Sequence, residues 1–353
     1  MRAAILRNGR MVVDDIADLS PGPGQVLVET VACGICGSDL HTVDHGSALA
    51  DAARDAGSAT FDYDPEVDLV MGHEMSVRVL DTGAGVDGVA PGLVAAAMPT
   101  VVTPDGGMAV PGYSNVYPGG YSEQMLLAPW ALVPVPNGLD PAHAALTEPM
   151  AVGLHAVNES TAAPGRAALV AGAGPVGLAI IAALAVAGVE PIIASDFSPR
   201  RRELALTMGA HVAVDPSVAP DRASAFAPVV DAWQANGALG PPVIFEAVGV
   251  PGMVESIMAT APAHSEIVVA GVCMEPDHFR PIMGIMKHLS LRFVLGWSPD
   301  EFAASLRNLA EGRIDPNPLV TGQVRLEDVP AAFATLADPE DHVKILVRPN
   351  GEH

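Results

Sequence analysis

The chain has 353 residues, half of them hydrophobic and 17% charged, which is enough for two domains that each bury a core. Eighteen basic side chains against 41 acidic ones leave a formal charge of −23, which repels phosphate backbones and anionic lipid heads and excludes nucleic acid and membrane surfaces as partners. Three cysteines are too few for a disulfide framework, and charges interrupt the N-terminus before any secretory leader forms, so the expected compartment is a reducing cytoplasm.

Residues 1–150 are rich in glycine and proline, with short apolar runs such as 25–32 and 76–80, and read as a mostly β domain. Within it, Cys33-Gly-Ile-Cys36-Gly-Ser38-Asp39-Leu-His41 is followed downstream by Gly72-His73-Glu74. Thiolate, imidazole and carboxylate are the donors zinc prefers, and Ser38 places a hydroxyl beside the first of them to handle a proton. Alone, Cys36 reads as a small buried hydrophobe and His73 as a structural histidine; their company points to a metal. The acid-rich stretch 45–68 reads as a solvated surface loop, or, because it joins two ligand-bearing segments, as one wall of a substrate cleft.

From about residue 165 the pattern alternates. An apolar strand at 167–171 leads into Gly172-Ala-Gly174-Pro175-Val176-Gly177 and a helix to 187; a second strand at 189–195 ends at Asp196. The uncharged stretch 167–189 is long enough to span a bilayer, but its glycine turn splits it into strand and helix, so it reads as soluble core. Ser198 and Pro199 start a further helix that Gly209 stops, and strands follow at 211–214, 243–246, 266–271 and 289–295. Such alternation implies a doubly wound parallel sheet.

The G-x-G-x-x-G turn, opening a helix after a strand, reads as a pyrophosphate cradle. Asp196, 19 positions beyond Gly177, is placed to accept from an adenosine ribose and to repel a 2′-phosphate, so NAD is favoured over NADP. Arg200, Arg201 and Arg202 argue the other way, but for at least two of them a solvated helix face is the simpler reading. The tail, with a helix at 299–311 and a strand at 342–348, returns to the first domain. His155, His211, His264, Met283 and Trp297 have no partner visible in sequence and read as core or surface residues.

Gly34-Ile-Cys36-Gly-Ser-Asp-Leu-His41, Gly72-His-Glu74, Gly119-Gly-Tyr-Ser-Glu123, Glu148-Pro149, the glycine turn and Phe245-Glu-Ala-Val-Gly249 together resemble the zinc-dependent medium-chain alcohol dehydrogenase family. The nearer branch is that of sorbitol, butanediol and threonine dehydrogenases, and the resemblance covers essentially the whole chain. It implies an α/β fold in which a Rossmann sheet, residues 151–297, is inserted into a β-rich GroES-like catalytic domain, residues 1–150 with 298–353, with the active site in the cleft between them. By the same resemblance Cys36 and His73 would ligate a catalytic zinc, with Glu148 or Glu74 as the carboxylate, and Asp39 would orient His73. Ser38 would hydrogen-bond the alcohol oxygen, and His41 would pass its proton to solvent through the cofactor ribose. Arg201 would contact the adenosine ribose, and the backbone at Gly271 and Val272 would face the nicotinamide carboxamide.

The implied activity is hydride transfer between NAD(H) and an alcohol/carbonyl pair, a secondary alcohol or vicinal diol, in a homodimer or homotetramer. A second, structural zinc is not expected, because no cysteine lies between His73 and Glu148. Cys33 reads as a packed neighbour of the metal loop and Cys273 as a buried thiol near the cofactor. Two rivals stand beside this reading: a zinc-free quinone or enoyl reductase of the same fold, and a non-catalytic dinucleotide-binding protein.

Overall fold

The computed structural model describes residues 1–351 other than 59, 137, 222–223, 238–239 and 337–341. The chain forms two compact units, one of Met1–Glu148, Leu306–Glu311 and Val320–His353, the other of Pro149–Ser305 and Gly312–Leu319.

In the first unit β1 (Arg2–Arg7) and β2 (Arg10–Asp15) form a hairpin, followed by β3 (Val26–Gly34), α1 (Gly37–Asp55), β4 (Glu74–Thr82) and β5 (Val94–Ala97). The short strands β6 (Val101–Val102) and β7 (Met108–Ala109) pair with each other, and β8 (Gln124–Leu127) and β9 (Leu132–Pro134) follow. Strand β3 alternates buried and half-buried residues until Ala32, then stays buried through Gly34, the pattern of a strand that leaves a one-sided sheet for a packed interior. It pairs antiparallel with β4, Gly34 standing opposite Glu74 and Cys33 opposite Met75. This register sets the loop after β3 beside the residues that open β4.

The reading of 45–68 as a loop is corrected over 45–55, while the described residues of 56–68 form no helix or strand. Helix α1 runs through Asp55, bent at His45 where φ is −136° and ψ 24°. Its second half is alanine-rich, buries Leu49, Ala50 and Ala53 on one face and pairs Asp51 with Arg54 at 2.7 Å, so propensity and a narrow apolar stripe together favour helix. Beyond it Tyr63 is buried and its hydroxyl donates to the Gly46 carbonyl at 2.9 Å.

After α2 (Thr147–Asn158), the second unit alternates β10 (Ala168–Ala171), α3 (Pro175–Val186), β11 (Ile192–Ser195), α4 (Pro199–Thr207), β12 (Val212–Val214), α5 (Ala227–Ala235), β13 (Val243–Glu246), α6 (Met253–Thr260), β14 (Glu266–Val269), α7 (Pro281–Lys287), β15 (Ser290–Phe293) and α8 (Pro299–Ala310). Its six strands pair in parallel in the order β12-β11-β10-β13-β14-β15, the doubly wound order whose chain reversal lies between β10 and β13. Eight of the twelve residues of α3 are buried, which accounts for the apolar stretch 167–189; no described helix is long and apolar enough to cross a membrane. Finally β16 (Val320–Val324), α9 (Val329–Thr335) and β17 (Lys344–Val347) complete the first unit, where one sheet runs β16-β17-β3-β4-β5-β9 with β8 also on β3.

Helices α2 and α3 touch closely at Gly153, where a side chain would overlap the backbone of Ala179. Gly153→Ala is expected to lower stability by about 1–3 kcal/mol through overpacking, measured by chemical denaturation.

Candidate active site and metal centre

Cys36 caps the N-terminus of α1, and Asp39, in the first turn, reaches back so that its Oδ2 accepts from the Cys36 backbone N–H at 3.0 Å. The cysteine-to-aspartate spacing is therefore that of a helix start. Asp39 is completely buried, and Oδ2 also accepts from the Tyr121 hydroxyl at 2.6 Å. Tyr121 is positioned by the Gly119-Gly-Tyr run, whose backbone N–H groups donate to Val70, Gly72 and Met71. Burial pushes the Asp39 carboxyl up, but His73 and the donated hydrogen bonds outweigh it and hold it below its ordinary range. The other oxygen, Oδ1, lies 3.5 Å from His73 Nδ1, and neither atom has a hydrogen-bond partner.

Ligand atoms of Cys36, His73 and Glu74 all lie within 4.8 Å of one another. Zinc bonds of about 2.0–2.3 Å bring their donors to comparable separations, so this set of sulfur, nitrogen and oxygen fits the ion. Glu74 is 1% exposed and Lys344 2%, and the ammonium group sits 2.7 Å from both carboxylate oxygens and donates to the Ile35 carbonyl at 3.0 Å. Burial works against the charge on Lys344, but Glu74 and Cys36 more than offset it and raise its pKa. Glu148, in the first turn of α2 and 8% exposed, does not join the three-residue cluster, although its charge is felt at Lys344.

Ser38 and His41 follow on α1 at the i, i+3 spacing that shares a face. The buried Tyr113 donates its hydroxyl hydrogen to Ser38 Oγ at 2.8 Å. Burial, reinforced by His45 and opposed by Asp44, lowers the pKa of His41, leaving a neutral imidazole able to accept a proton near pH 7. Sequence reasoning missed Tyr113 and Lys344 as members of this site. For Lys344 a signal existed, a lone lysine inside the apolar run His342-Val-Lys-Ile-Leu-Val347; for Tyr113 none did.

In the second unit Gly172, at φ 90°, turns the chain after β10 where a side chain would strike the Ala247 carbonyl, and Gly177 lies against Gly172 itself. Gly174 differs: a Cβ there would meet only the Arg201 guanidinium, at 3.7 Å. The protein's own packing does not demand glycine at 174, which leaves bare backbone at the N-terminus of α3, opened by Pro175 and Val176, as a floor for an anionic group. Asp196 borders it, Oδ2 accepting from the Ala173 N–H at 2.8 Å and Oδ1 from the Ser198 N–H at 2.9 Å.

Of the three arginines only Arg200 is exposed, so the reading of at least two as solvated is corrected. Arg202 turns back to pair with Asp215 at 3.2 Å and to donate to the Asp196 and Phe197 carbonyls, and Arg201 lies over Gly174 with a buried Nε lacking a partner. Gly271 and Val272 follow β14 and pack on Gly249, with Val272 40% exposed. Cys33 is buried as expected, whereas Cys273 is half-buried, its thiol donating to the Glu275 carbonyl at 3.4 Å. His155 pairs with Glu301 at 2.9 Å, His211 accepts from the Ile192 N–H, His264 stacks on His288 and Trp297 packs on Phe302.

Residues 22–137 match the alcohol dehydrogenase GroES-like domain, and residues 175–311 match the zinc-binding dehydrogenase domain. The chain is 31% identical over 360 residues to (R,R)-butanediol dehydrogenase of Bacillus subtilis, covering 99% of this chain and all of that protein. It is 29% identical over 369 residues to (R,R)-butanediol dehydrogenase of Neisseria gonorrhoeae, covering 99% of this chain and all of that one. The crystal structure of 2R,3R-butanediol dehydrogenase from Bacillus subtilis superposes with a TM-score of 0.82 at 31% identity, covering 99% of both chains. The two domain matches and the full-length likeness to these dehydrogenases show that the chain belongs to the zinc-dependent medium-chain alcohol dehydrogenases.

Proposed function

We propose that this chain oxidises a secondary alcohol, in the first place a vicinal diol, with NAD⁺ and reduces the matching carbonyl with NADH. The observation that carries this reading is the convergence of Cys36, His73 and Glu74 beside the Ser38 hydroxyl. The diol preference is supported by the two butanediol dehydrogenases among the relatives. One zinc is proposed, held by Cys36, His73 and a carboxylate, Glu74 within the cluster or Glu148 from α2. The expected boundaries, residues 1–150 with 298–353 around 151–297, assign this metal to the GroES-like domain and the nucleotide to the Rossmann domain.

Zinc supplies Lewis acidity that lowers the pKa of the substrate hydroxyl, and the dinucleotide supplies the hydride acceptor. Ser38 Oγ takes the hydroxyl proton as it releases its own, and the neutral His41 imidazole receives it and returns it to solvent. Asp39 holds the Nδ1 side of His73, fixing the tautomer whose other nitrogen is free to bind metal. Lys344 neutralises Glu74, so the buried cluster does not gather uncompensated negative charge. Asp196 receives the adenosine ribose hydroxyls, Arg201 lies alongside, and the backbone at Gly271 and Val272 meets the carboxamide. The three free cysteines suit a reducing cytoplasm.

A homodimer or homotetramer is proposed on the apolar side chains left exposed along α7 and β15, Ile282, Ile285, Met286 and Phe293. A monomeric mass by light scattering at micromolar concentration contradicts it.

Lys344→Met strands the Glu74 carboxylate in the interior and is expected to cost about 3–5 kcal/mol; adding Glu74→Gln should recover most of that loss in the same denaturation assay. Asp39→Asn is expected to weaken zinc binding about ten- to a hundredfold, read by competition with a chromophoric chelator. Turnover of 2,3-butanediol, followed by nicotinamide absorbance, should be faster with NAD⁺ than NADP⁺, vanish on chelation and return with zinc. Zinc-free protein that still reduces quinones or enoyl substrates at full rate establishes the reductase instead.

A further inference from the structure

The hydroxyl of Tyr113 lies 2.8 Å from Ser38 Oγ, and its ring lies 5.2 Å, centroid to centroid, from that of His73. Nothing about this contact is incidental to the local fold. Gly112, at φ 94°, sits so tightly on Gly72 that a side chain there would come 2.8 Å from the Gly72 carbonyl oxygen, which locks the tyrosine's backbone to the residue before His73. From the other side the stretch after α1 encloses the ring, Phe61 edge-on at 4.6 Å and Tyr63 stacked at 6.4 Å. Asn115 clasps the same stretch to the tyrosine's segment, its side chain accepting from the Asp64 N–H at 2.7 Å and donating to the Asp64, Val67 and Asp68 carbonyls.

We infer that Tyr113 is a positioning residue of the proton relay, acting through Ser38, and that the stretch after α1 exists to hold it there. A serine hydroxyl has one hydrogen and two acceptor positions. Tyr113 fills one acceptor position, which leaves the other for the substrate hydroxyl and turns Ser38's own hydrogen away from both. When the substrate proton arrives, the new O–H bond forms on Ser38 Oγ as the old one breaks toward the next acceptor, and Tyr113 keeps its proton throughout. Its donated hydrogen bond strengthens while Oγ carries partial negative charge, so the effect falls on turnover rather than on substrate or cofactor affinity.

The inference rests on the proposed activity only for its catalytic half, and the test separates the two. With 3-fluorotyrosine incorporated, the four tyrosines give four ¹⁹F resonances, and Tyr113→Phe identifies that of Tyr113. Ser38→Ala should shift that resonance and leave Tyr117 in place; an unmoved line overturns the inference, whatever the enzyme's substrate. In turnover, Tyr113→Phe should retain zinc and lower kcat about ten- to a hundredfold, the worth of one hydrogen bond to a charged group, with KM for NAD⁺ unchanged. Ser38→Ala with Tyr113→Phe should be no slower than Ser38→Ala alone. Parental kcat in Tyr113→Phe, loss of zinc from it, or losses that multiply in the double variant each overturn the relay role. A parent protein that turns over no alcohol with NAD⁺ removes the proposed activity and with it the relay role, leaving the fluorine result to decide the Tyr113–Ser38 link.

Discussion

The ammonium group of Lys344 is enclosed between the Glu74 carboxylate and the Ile35 carbonyl, in a chain with only one other lysine. Desolvating both charges costs several kcal/mol per ion unless each is fully matched, and here the match draws together β17, the first residue of β4 and the loop that carries Cys36. The partners are 270 positions apart, and the lysine reaches Glu74 because the C-terminal strand docks beside Gly34. Closing so long a loop is slow relative to forming the local hairpins. The Glu74 charge is thus matched only once β17 is in place.

Around that pair the polar groups divide their tasks by exposure. Asp39 and Glu74 are wholly buried, Asp39 held through one oxygen by two donors and Glu74 through both by Lys344, whereas Ser38, His41 and Cys36 are half-buried. The groups that brace the helix start and the strand are thereby shielded from water, and Ser38, His41 and Cys36 stay within its reach. The same logic applies in the second unit, where Gly172 and Gly177 serve the turn and Gly174 alone leaves backbone uncovered.

How much of this was legible depended on how local each signal is. The Cys36-to-Asp39 run is at once a helix start and a donor set, and the strand, glycine turn, helix and Asp196 lie within one βαβ unit; both are written in consecutive residues. Helix α1 beyond His45 was not legible because its apolar stripe, Leu49, Ala50 and Ala53, is short and lies among exposed charged residues. Tyr113 and Lys344 act on partners 75 and 270 positions away, so no window of sequence contains both ends. The directions of Arg201 and Arg202 likewise follow from Asp215 and the glycine turn rather than from their own spacing.

The two thiols at 33 and 36 are separated by only two residues and meet opposite fates. Side chains added at Gly72 or Gly120 would come within 2.9 and 2.5 Å of Cys33 Sγ, so backbone closes over that sulfur, and burial raises its pKa far from the thiolate range. Electrophiles and peroxides reach its half-buried neighbour more readily. Oxidation in this loop therefore falls on the residue that opens α1 and spares the thiol packed into the core.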